Sequence, residues 1–290
     1  RPGPAEVGTV TRLESDYYSY MEFDPEHTRE VLRHYVPMFE DKSPVLELGC
    51  GRGEFLGLLD EKGVKGKGVD SDEGMVEAAV AKGLDVIRGD AMAFLNGEPA
   101  PGPYQGVFCA HFIEHLTPDQ VRELLAGVRR VLAPGGRFVA VTPNPACYSV
   151  LSHDFWRDPT HVRFYDLPLL EFLCRQAGLE VEATGTNPAN HPGPPPEYLV
   201  PEPVVHPPLD DLVERAMGKL GASLDHRDRK GRVTEHQHDA EWAYELAHVV
   251  KVLSGRLQET TEALREVRRA HDKLVWGLYQ SNETYVVARG

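Results

Sequence analysis

The feature that most constrains this chain is an apolar run that leads directly into three alternating glycines. Residues 45 to 53 read Val-Leu-Glu-Leu-Gly-Cys-Gly-Arg-Gly. Residues with a Cβ are disfavoured at positive φ, so this spacing predicts a strand followed by a sharply turning backbone that lies close to a ligand. Asp70 stands at the end of the next apolar run. A glycine loop followed by such a carboxylate is typical of a site that binds a nucleoside cofactor.

Glu54 narrows the class of ligand. A dinucleotide fingerprint places its third glycine at this position, and a carboxylate here would lie at a helix N-terminus, where a pyrophosphate has to bind. A P-loop is also excluded, because no Gly-Lys-Ser/Thr follows the glycines. The sequence therefore favours a nucleoside cofactor that has no phosphate and carries a positive centre.

The alternation of elements predicts an α/β fold. Apolar runs of strand length alternate with amphipathic helical stretches from residue 44 to about 182, which is typical of a Rossmann-like, doubly wound, mainly parallel sheet. The six predicted strands cover residues 45–48, 66–69, 85–87, 106–110, 137–141 and 180–184. Residues 283–289 have the β-branched and aromatic content of a seventh, closing strand.

This reading divides the chain into five segments. Residues 187–208 contain nine prolines, which excludes a helix or a central strand there and predicts an extended flap or linker. The predicted segments are an N-terminal cap (1–43), a core (44–186), the proline-rich flap (187–208), a helical arm (209–282) and the closing strand (283–290). The arm is then an insertion before the last strand; a tail that lies beyond the domain is the alternative.

A long helix is predicted from about residue 235, after a shorter one at 209–220. Its apolar positions alternate spacings of three and four over five heptads, the pattern of a coiled-coil seam. The seam positions are Ala243, Leu246, Val250, Leu253, Leu257, Thr260, Leu264, Val267, His271, Leu274 and Leu278. We expect a homo-oligomer through this coiled coil; the alternative is that the seam packs on the 209–220 helix or on the sheet.

Several motifs in the expected order resemble those of the class I S-adenosylmethionine-dependent methyltransferases. Besides the glycine loop and Asp70, they are the stretches 84–91, 106–116 and 128–142, so the resemblance covers about residues 25–186. It implies S-adenosylmethionine as cofactor, with Glu47 and the loop along the methionine moiety, Asp70 on the ribose hydroxyls and Asp90 on the adenine amino group. The implied cofactor-binding set is Glu47, Gly49, Gly51, Gly53, Asp70, Asp90, Ala91 and Ala110. The alternative for the two aspartates is an ordinary turn role.

Candidate chemistry follows the fourth and fifth strands. His111, Glu114 and His115 are spaced i, i+3, i+4, and His161 follows the fifth strand. Imidazole and carboxylate groups together suit a divalent metal. The pattern resembles metal-dependent O-methyltransferases, among them small-RNA terminal 2′-O-methyltransferases and quinone-biosynthesis ring O-methyltransferases, which carry Glu-x-x-Glu-His after strand four. This chain has His111 in place of the first Glu.

Three interpretations of this group stay open. His111, Glu114, His115 and His161 could hold Mg²⁺ or another divalent cation, which would lower the pKa of a bound hydroxyl and orient it. A metal-free enzyme could instead use His111, His115 or His161 as general base. The Glu114-His115 pair could also only cap the following helix.

Residues 155–165 are the candidate binding site for the methyl acceptor. They read Phe-Trp-Arg-Asp-Pro-Thr-His-Val-Arg-Phe-Tyr. An aromatic surface beside charged groups suits a polyol, and this stretch resembles bacterial polysaccharide and O-antigen methyltransferases. The sequence thus predicts O-methylation of a saccharide or related small polar molecule. An RNA 2′-O-methyltransferase, an aromatic O-methyltransferase of small molecules, and a non-enzymatic coiled-coil scaffold with a vestigial cofactor site are the alternatives.

Composition bounds partners and location. The formal net charge of −14 disfavours a nucleic-acid partner, because neutralised phosphates supply most of such affinity. No apolar run approaches the roughly 18 residues of a membrane span. The four cysteines show no Cys-x-x-Cys spacing, and with no visible signal peptide this favours a reducing cytoplasm. Residue 1 is Arg, so the native start stays open.

Overall fold

The structure is a computed structural model that describes residue 20 and residues 24–97, 101–191, 193–194, 196–199, 201, 214–215 and 237–290. It forms two compact units, one made of Arg1–Gly193 with Leu278–Gly290 and the other of Pro194–Gly277. Of the predicted 209–220 helix only residues 214 and 215 are described, and of the proline-rich flap residues 187–191, 193–194, 196–199 and 201.

The first unit is built on a seven-stranded mixed sheet. The strands are β1 (Val45–Leu48), β2 (Gly66–Asp70), β3 (Val86–Arg88), β4 (Tyr104–Ala110), β5 (Leu132–Pro143), β6 (Glu180–Thr186) and β7 (Glu283–Arg289). Their order is β3-β2-β1-β4-β5-β7-β6, with β1 to β5 parallel and β7 antiparallel to both of its neighbours. The predicted closing strand is confirmed, and it pairs between β5 and β6.

Helices follow the strands as the alternation predicts. They are α1 (Pro25–Leu32), α2 (Glu54–Glu61), α3 (Glu73–Ala81), α4 (Ala91–Leu95), α5 (Pro118–Val131), α6 (Phe155–Arg157), α7 (Leu167–Gln176) and α8 (Gln237–Leu278), with short 3₁₀ or π segments at Val36–Met38, Ile113–His115, Val150–Asp154 and Pro196–Tyr198. α1 ends at Leu32, and the chain continues as a 3₁₀ turn around Pro37, because proline has no N–H for an α-helical bond.

The core lies on both faces of the sheet. Val107 and Cys109 of β4 pack in one apolar cluster with α5 and α7. Phe108, which points to the opposite face, packs with Tyr35, Phe39 and Phe55. Successive strand residues point to opposite faces, so burial of all three is what a central parallel strand requires. The carboxyl ends of β1, β2 and β4 are thereby fixed side by side at one edge.

The fifth strand is longer than predicted: β5 covers Leu132–Pro143 and includes Gly135, which takes a positive φ of 72°. The long helix is described over Gln237–Leu278 and lies in the chain between β6 and β7. Within the described residues, no helix has both the length and the apolar character that a bilayer span requires.

The described part of α8 leaves its apolar seam open to solvent. The large exposed side chains at seam positions are Leu246, Leu253, Leu257, Leu264, Val267, Leu274 and Leu278. We call these residues the seam face. The predicted self-association through the seam face stays a prediction.

Candidate functional site

The glycine loop has the backbone that the sequence predicts. Gly49, Gly51 and Gly53 take φ values of 68°, 51° and 76°. A Cβ at Gly49 would lie 2.7 Å from Phe112, and one at Gly53 would lie 2.4 Å from Leu84. At Gly51, by contrast, no atom lies within 4 Å of the Cβ position. Two of the glycines are therefore needed for packing, and the middle one faces open space.

Asp70 at the end of β2 orders this loop. Its Oδ2 accepts a hydrogen bond from the Gly51 N–H at 2.8 Å and its Oδ1 accepts one from the Asp72 N–H at 2.9 Å. Burial raises the pKa of this carboxyl group. A carboxylate oxygen has two acceptor lone pairs, so each oxygen keeps capacity for one further donor such as a hydroxyl.

Two glutamates flank the loop. Glu47 is buried, and its Oε2 has no hydrogen-bond partner among the described residues. Burial, followed by the charges of Glu54 and Asp70, raises the pKa of Glu47. The predicted carboxylate of Glu54 occupies the first turn of α2 and is held 2.9 Å from Arg52 Nε and 3.6 Å from Lys82 Nζ. A phosphate would have to displace this ion-paired group.

The remaining predicted cofactor residues are Asp90, Ala91 and Ala110. Asp90 is exposed and caps α4, where its Oδ1 accepts a hydrogen bond from the Ala93 N–H at 2.7 Å. This is the turn role that the sequence left open for it. Ala91 is buried at the start of α4, and Ala110 is half-buried at the end of β4. Their contact with a cofactor stays a prediction.

A second group of polar side chains follows β4. Glu114 and His115 lie on the 3₁₀ turn Ile113–His115, and His161 lies on the loop after α6. One potential ligand atom from each of these three residues lies within 4.8 Å of the other two. The two segments are held together because the Val162 N–H donates to the Glu114 carbonyl oxygen at 2.8 Å. We call Glu114, His115 and His161 the triad.

The hydrogen bonds of the triad fix which histidine nitrogens are available. The Thr160 hydroxyl donates to Asp158 Oδ1 at 2.5 Å, so it accepts from His115 Nδ1 at 2.8 Å. The carbonyl oxygen of Phe155 can only accept, so His161 Nδ1 donates to it at 2.6 Å. Burial lowers the pKa of His115, which favours its neutral form. In its neutral form each ring therefore carries its lone pair on Nε2, and that of His161 lies 4.0 Å from Asp158 Oδ2. Outer partners fix the rings of metal-binding histidines in the same way.

Glu114 completes the triad as a buried carboxylate with 0% side-chain exposure. Its Oε2 accepts a hydrogen bond from the Thr142 hydroxyl at 3.4 Å. Its Oε1 lies 3.3 Å from His111 Nδ1, but without the geometry of a hydrogen bond. A buried carboxylate oxygen that lacks a well-formed hydrogen bond is costly, and a bound cation or a ligand hydroxyl would satisfy it.

His111 lies beside the triad, and its predicted role as ligand or base stays a prediction. Its Nε2 lies 3.0 Å from Glu283 Oε2 and its Nδ1 lies 3.3 Å from Glu114 Oε1. Desolvation acts to lower the pKa of His111, but the interactions with the two carboxylates outweigh it and raise the pKa to about 10. In its protonated form the ring has no lone pair for a metal or a substrate proton.

The sequence reading missed Glu283 and its partners. The carboxylate is buried at the start of β7 and accepts hydrogen bonds from Tyr35, His111, Asn187 and Asn190. Burial would raise the pKa of Glu283, but the hydrogen bonds and the charge of His111 lower it. The available signal was a single acid at the head of an otherwise β-branched and aromatic strand, and it gave no hint of these distant partners.

The predicted aromatic surface is only partly formed. Trp156 is 65% exposed, and its indole N–H donates to the Leu151 carbonyl oxygen at 2.9 Å, which orients the ring. It packs on Phe155, whose ring centroid lies 4.4 Å from that of His161. Tyr165, in contrast, is fully buried and donates to the Leu116 carbonyl oxygen. Trp156 is therefore the open aromatic face nearest the triad along this stretch.

Comparison with known proteins identifies the family to which the chain belongs. Residues 20–184 match the profile of a methyltransferase domain family, which is more than half of the chain. The chain is 34% identical over 143 residues to a probable S-adenosylmethionine-dependent methyltransferase of Mycolicibacterium smegmatis, a match that covers 48% of this chain and 53% of that protein. It is 28% identical over 142 residues to a ubiquinone biosynthesis O-methyltransferase of Pseudomonas aeruginosa, covering 44% of this chain and 58% of the relative. The chain thus spans little more than half the length of either relative.

Among solved structures, a SAM-dependent methyltransferase from Archaeoglobus fulgidus superposes with a TM-score of 0.65 at 22% identity. The superposition covers 96% of this chain and 100% of the other. At this level of identity the likeness describes the fold and not the substrate.

Proposed function

The chain belongs to the methyltransferase domain family, and from that premise we propose that it transfers a methyl group from S-adenosylmethionine to a hydroxyl oxygen. The observation that carries the proposal is the triad. It combines a buried carboxylate with two imidazoles whose Nδ1 atoms are hydrogen-bonded to Thr160 and to the Phe155 carbonyl group, and one potential ligand atom from each residue lies within 4.8 Å of the other two. It follows Phe112, which packs against Gly49 of the glycine loop, so a cofactor on the loop and an acceptor at the triad would be neighbours.

The residues of the loop fit S-adenosylmethionine. The open space in front of Gly51 would allow a ligand to lie against the backbone. Glu47 Oε2, which has no hydrogen-bond partner among the described residues, could accept a hydrogen bond or contact a cation. Asp70 keeps acceptor capacity for two ribose hydroxyls. When bound, the cofactor supplies an electrophilic methyl carbon on a positively charged sulfur, and such a positive charge beside Glu47 and Asp70 would favour the ionised form of both carboxyl groups.

The triad would prepare the acceptor oxygen. The nucleophile has to be close to the methyl carbon and deprotonated or nearly so. We infer that Glu114, His115 and His161 hold a divalent cation such as Mg²⁺ or Mn²⁺, because one carboxylate and two imidazoles with fixed tautomers form a suitable donor set. When bound, such an ion would lower the pKa of a coordinated hydroxyl. Without it, the Nε2 of His115 or His161 would serve as general base.

We propose a saccharide or related polyol as acceptor class. The support is Trp156, an exposed and oriented indole separated from His161 by the ring of Phe155. A sugar can stack one face on such an indole while its hydroxyls reach polar groups. The net charge of −14 makes an RNA end the less favoured acceptor.

A ring hydroxyl of a small aromatic molecule is the second candidate. It is favoured by the 28% identity to an O-methyltransferase of ubiquinone biosynthesis. The exposed face of Trp156 would also stack on an aromatic ring, so this surface fits both classes of acceptor.

Product analysis tests the proposal. The protein would be incubated with methyl-labelled S-adenosylmethionine, Mn²⁺ and three pools of acceptors: oligosaccharides, small phenols and RNA ends. We expect mass spectrometry to find a new O-methyl group in the oligosaccharide pool. Label in the phenol or RNA pool would contradict the saccharide as acceptor class. Undiminished transfer in excess chelator would contradict the role of the metal and favour a histidine as general base.

We also propose that the seam face of α8 is covered by a second copy of the chain. Its exposed residues follow one heptad pattern from Leu246 to Leu278, and a 3.5-residue repeat keeps one stripe facing a partner helix along the whole length. The proposal concerns assembly and is independent of the chemistry above.

A further inference from the structure

The carboxylate of Glu283 is the most heavily bonded buried polar group among those described. It is 1% exposed. Its Oε1 accepts from the Tyr35 hydroxyl at 2.5 Å and from Asn187 Nδ2 at 2.7 Å, and its Oε2 accepts from His111 Nε2 and Asn190 Nδ2 at 3.0 Å each. The chemistry proposed above makes no use of it.

The position of Glu283 is set by strand pairing. It is the first residue of β7 and lies opposite Pro143, the last residue of β5. This register brings its side chain to the carboxyl edge of the parallel strands, where His111 follows β4. An acid that the chain supplies 172 residues after His111 thus reaches the same edge.

His111 is held in an unusual backbone conformation. Its φ of 50° is the one positive value found for a non-glycine residue in the described ranges. Such a conformation is strained for a residue with a Cβ and persists only where surrounding contacts impose it. The contacts are its N–H, which donates to the Val141 carbonyl oxygen at 3.0 Å, and its ring, which is bonded to Glu283.

The ring of His111 joins Glu283 to the triad. Its Nε2 donates to Glu283, and its Nδ1 lies 3.3 Å from Oε1 of Glu114. This is an ion-pair contact without hydrogen-bond geometry. The other oxygen of Glu114, Oε2, has only the 3.4 Å contact from Thr142, so the His111 ring is the main group that restrains Oε1.

We propose that Glu283 is a positioning residue that acts through His111 to orient Glu114 toward the cation held by the triad. It does not touch the ion, the cofactor or the acceptor. Because it also binds Tyr35, Asn187 and Asn190, it ties the first helical segment and the start of the proline-rich stretch to the same point. The inference rests on the proposed cation site, which it extends by an outer partner.

The test measures Mn²⁺ binding by the full chain, with no acceptor present. In Glu283→Gln, the amide nitrogen is itself a hydrogen-bond donor. Whichever way the amide group turns, this nitrogen faces donors, either Tyr35 and Asn187 or His111 and Asn190. We expect its Mn²⁺ affinity to fall about 10- to 100-fold, the range typical of outer partners of metal ligands. The matched control is Tyr35→Phe, which removes one donor from the far oxygen of Glu283 and leaves the His111 bond. Its affinity is expected to stay within about 3-fold of wild type.

A second variant keeps the test valid if Glu283→Gln does not fold. Glycine tolerates a φ of 50°, so His111→Gly removes the bridging ring without opposing the backbone. We expect a similar loss of Mn²⁺ affinity. In the double variant the Glu283 substitution should cause no further loss, because a residue that acts through His111 has no effect without it.

The outcomes separate this inference from the function on which it rests. A wild-type protein that binds no Mn²⁺ overturns the cation site and this inference together. Wild-type binding with an unchanged affinity in Glu283→Gln or His111→Gly overturns the positioning role alone. Losses that simply add in the double variant also overturn it, since they would indicate two independent structural effects.

Discussion

The glycine loop and the triad lie at the same edge of one sheet but are assembled in different ways. The loop is a contiguous stretch, and the N–H of its middle glycine, Gly51, donates to the carboxylate of Asp70. The triad takes its members from two segments, and Glu283, its proposed outer partner, comes from the last strand of the chain. The comparison teaches that the proposed methyl-donor site is encoded locally, whereas the proposed acceptor site depends on the closure of the whole sheet.

The largest expected effect separates the two sites. Glu114→Gln removes the charged ligand from the triad, so Mn²⁺ affinity should fall more than about 100-fold, beyond the cost of an outer partner. The affinity for S-adenosylmethionine should stay within about 3-fold. Calorimetric titration measures both. Glu123→Gln, at an exposed position of α5, is the matched control. A parallel loss of both affinities in Glu114→Gln would mean that the sites are not separable.

The reciprocal change should act on the donor site alone. Asp70→Ala removes the proposed acceptor of the ribose hydroxyls and the hydrogen bond from Gly51 of the loop. A hydrogen bond to a charged group contributes about 1.5–3 kcal/mol, so the loss of even one ribose contact should weaken S-adenosylmethionine binding about 10- to 150-fold. Mn²⁺ binding is the internal control and should not change. Unaltered cofactor affinity would contradict the proposed role of Asp70.

The two kinds of glycine can be told apart by stability. Gly53→Ala adds a Cβ 2.4 Å from Leu84 at a positive φ, and we expect a loss of about 2–4 kcal/mol in the free energy of unfolding. Gly51→Ala meets no neighbour within 4 Å and should cost about 1–2 kcal/mol, from the backbone alone. Gly51→Ala should still weaken S-adenosylmethionine binding. Denaturant unfolding and titration of both variants check this; equal stability losses would argue against the packing role of Gly53.

The smallest expected effect on either site comes from the helical arm. The double variant Leu253→Glu/Leu264→Glu places charges on the seam face, and sedimentation should then report monomers where the wild type forms oligomers. Both ligand affinities should stay within about 2-fold. The control is Glu259→Gln with Glu266→Gln, two acids of α8 that lie off the seam. A wild-type protein that is monomeric at high concentration would contradict the proposed coiled coil.

Sequence patterns predicted the parts of the fold that depend on local chemistry. The three positive φ values follow from the glycines, and the closing strand follows from the composition of residues 283–289. Asp90 was ambiguous for a local reason as well, since an acid before a helix serves equally as a cap.

The remainder depends on contacts that no local pattern encodes. His111 carries the spacing of a ligand, yet Glu283 and Glu114 engage both of its nitrogens. Glu283 reaches it only through the register of β7 on β5. The tautomers of His115 and His161 likewise follow from Thr160 and the Phe155 carbonyl group, which are brought there by folding.

Anomalous diffraction from crystals soaked in Mn²⁺ and S-adenosylhomocysteine tests the central claim most directly. The account predicts an anomalous peak in contact with Glu114, His115 and His161, with His111 outside its coordination sphere, and the nucleoside bound along Gly49–Gly53 with its ribose at Asp70. A nucleoside at the loop with no peak at the triad, or a peak whose ligands include His111, would contradict it.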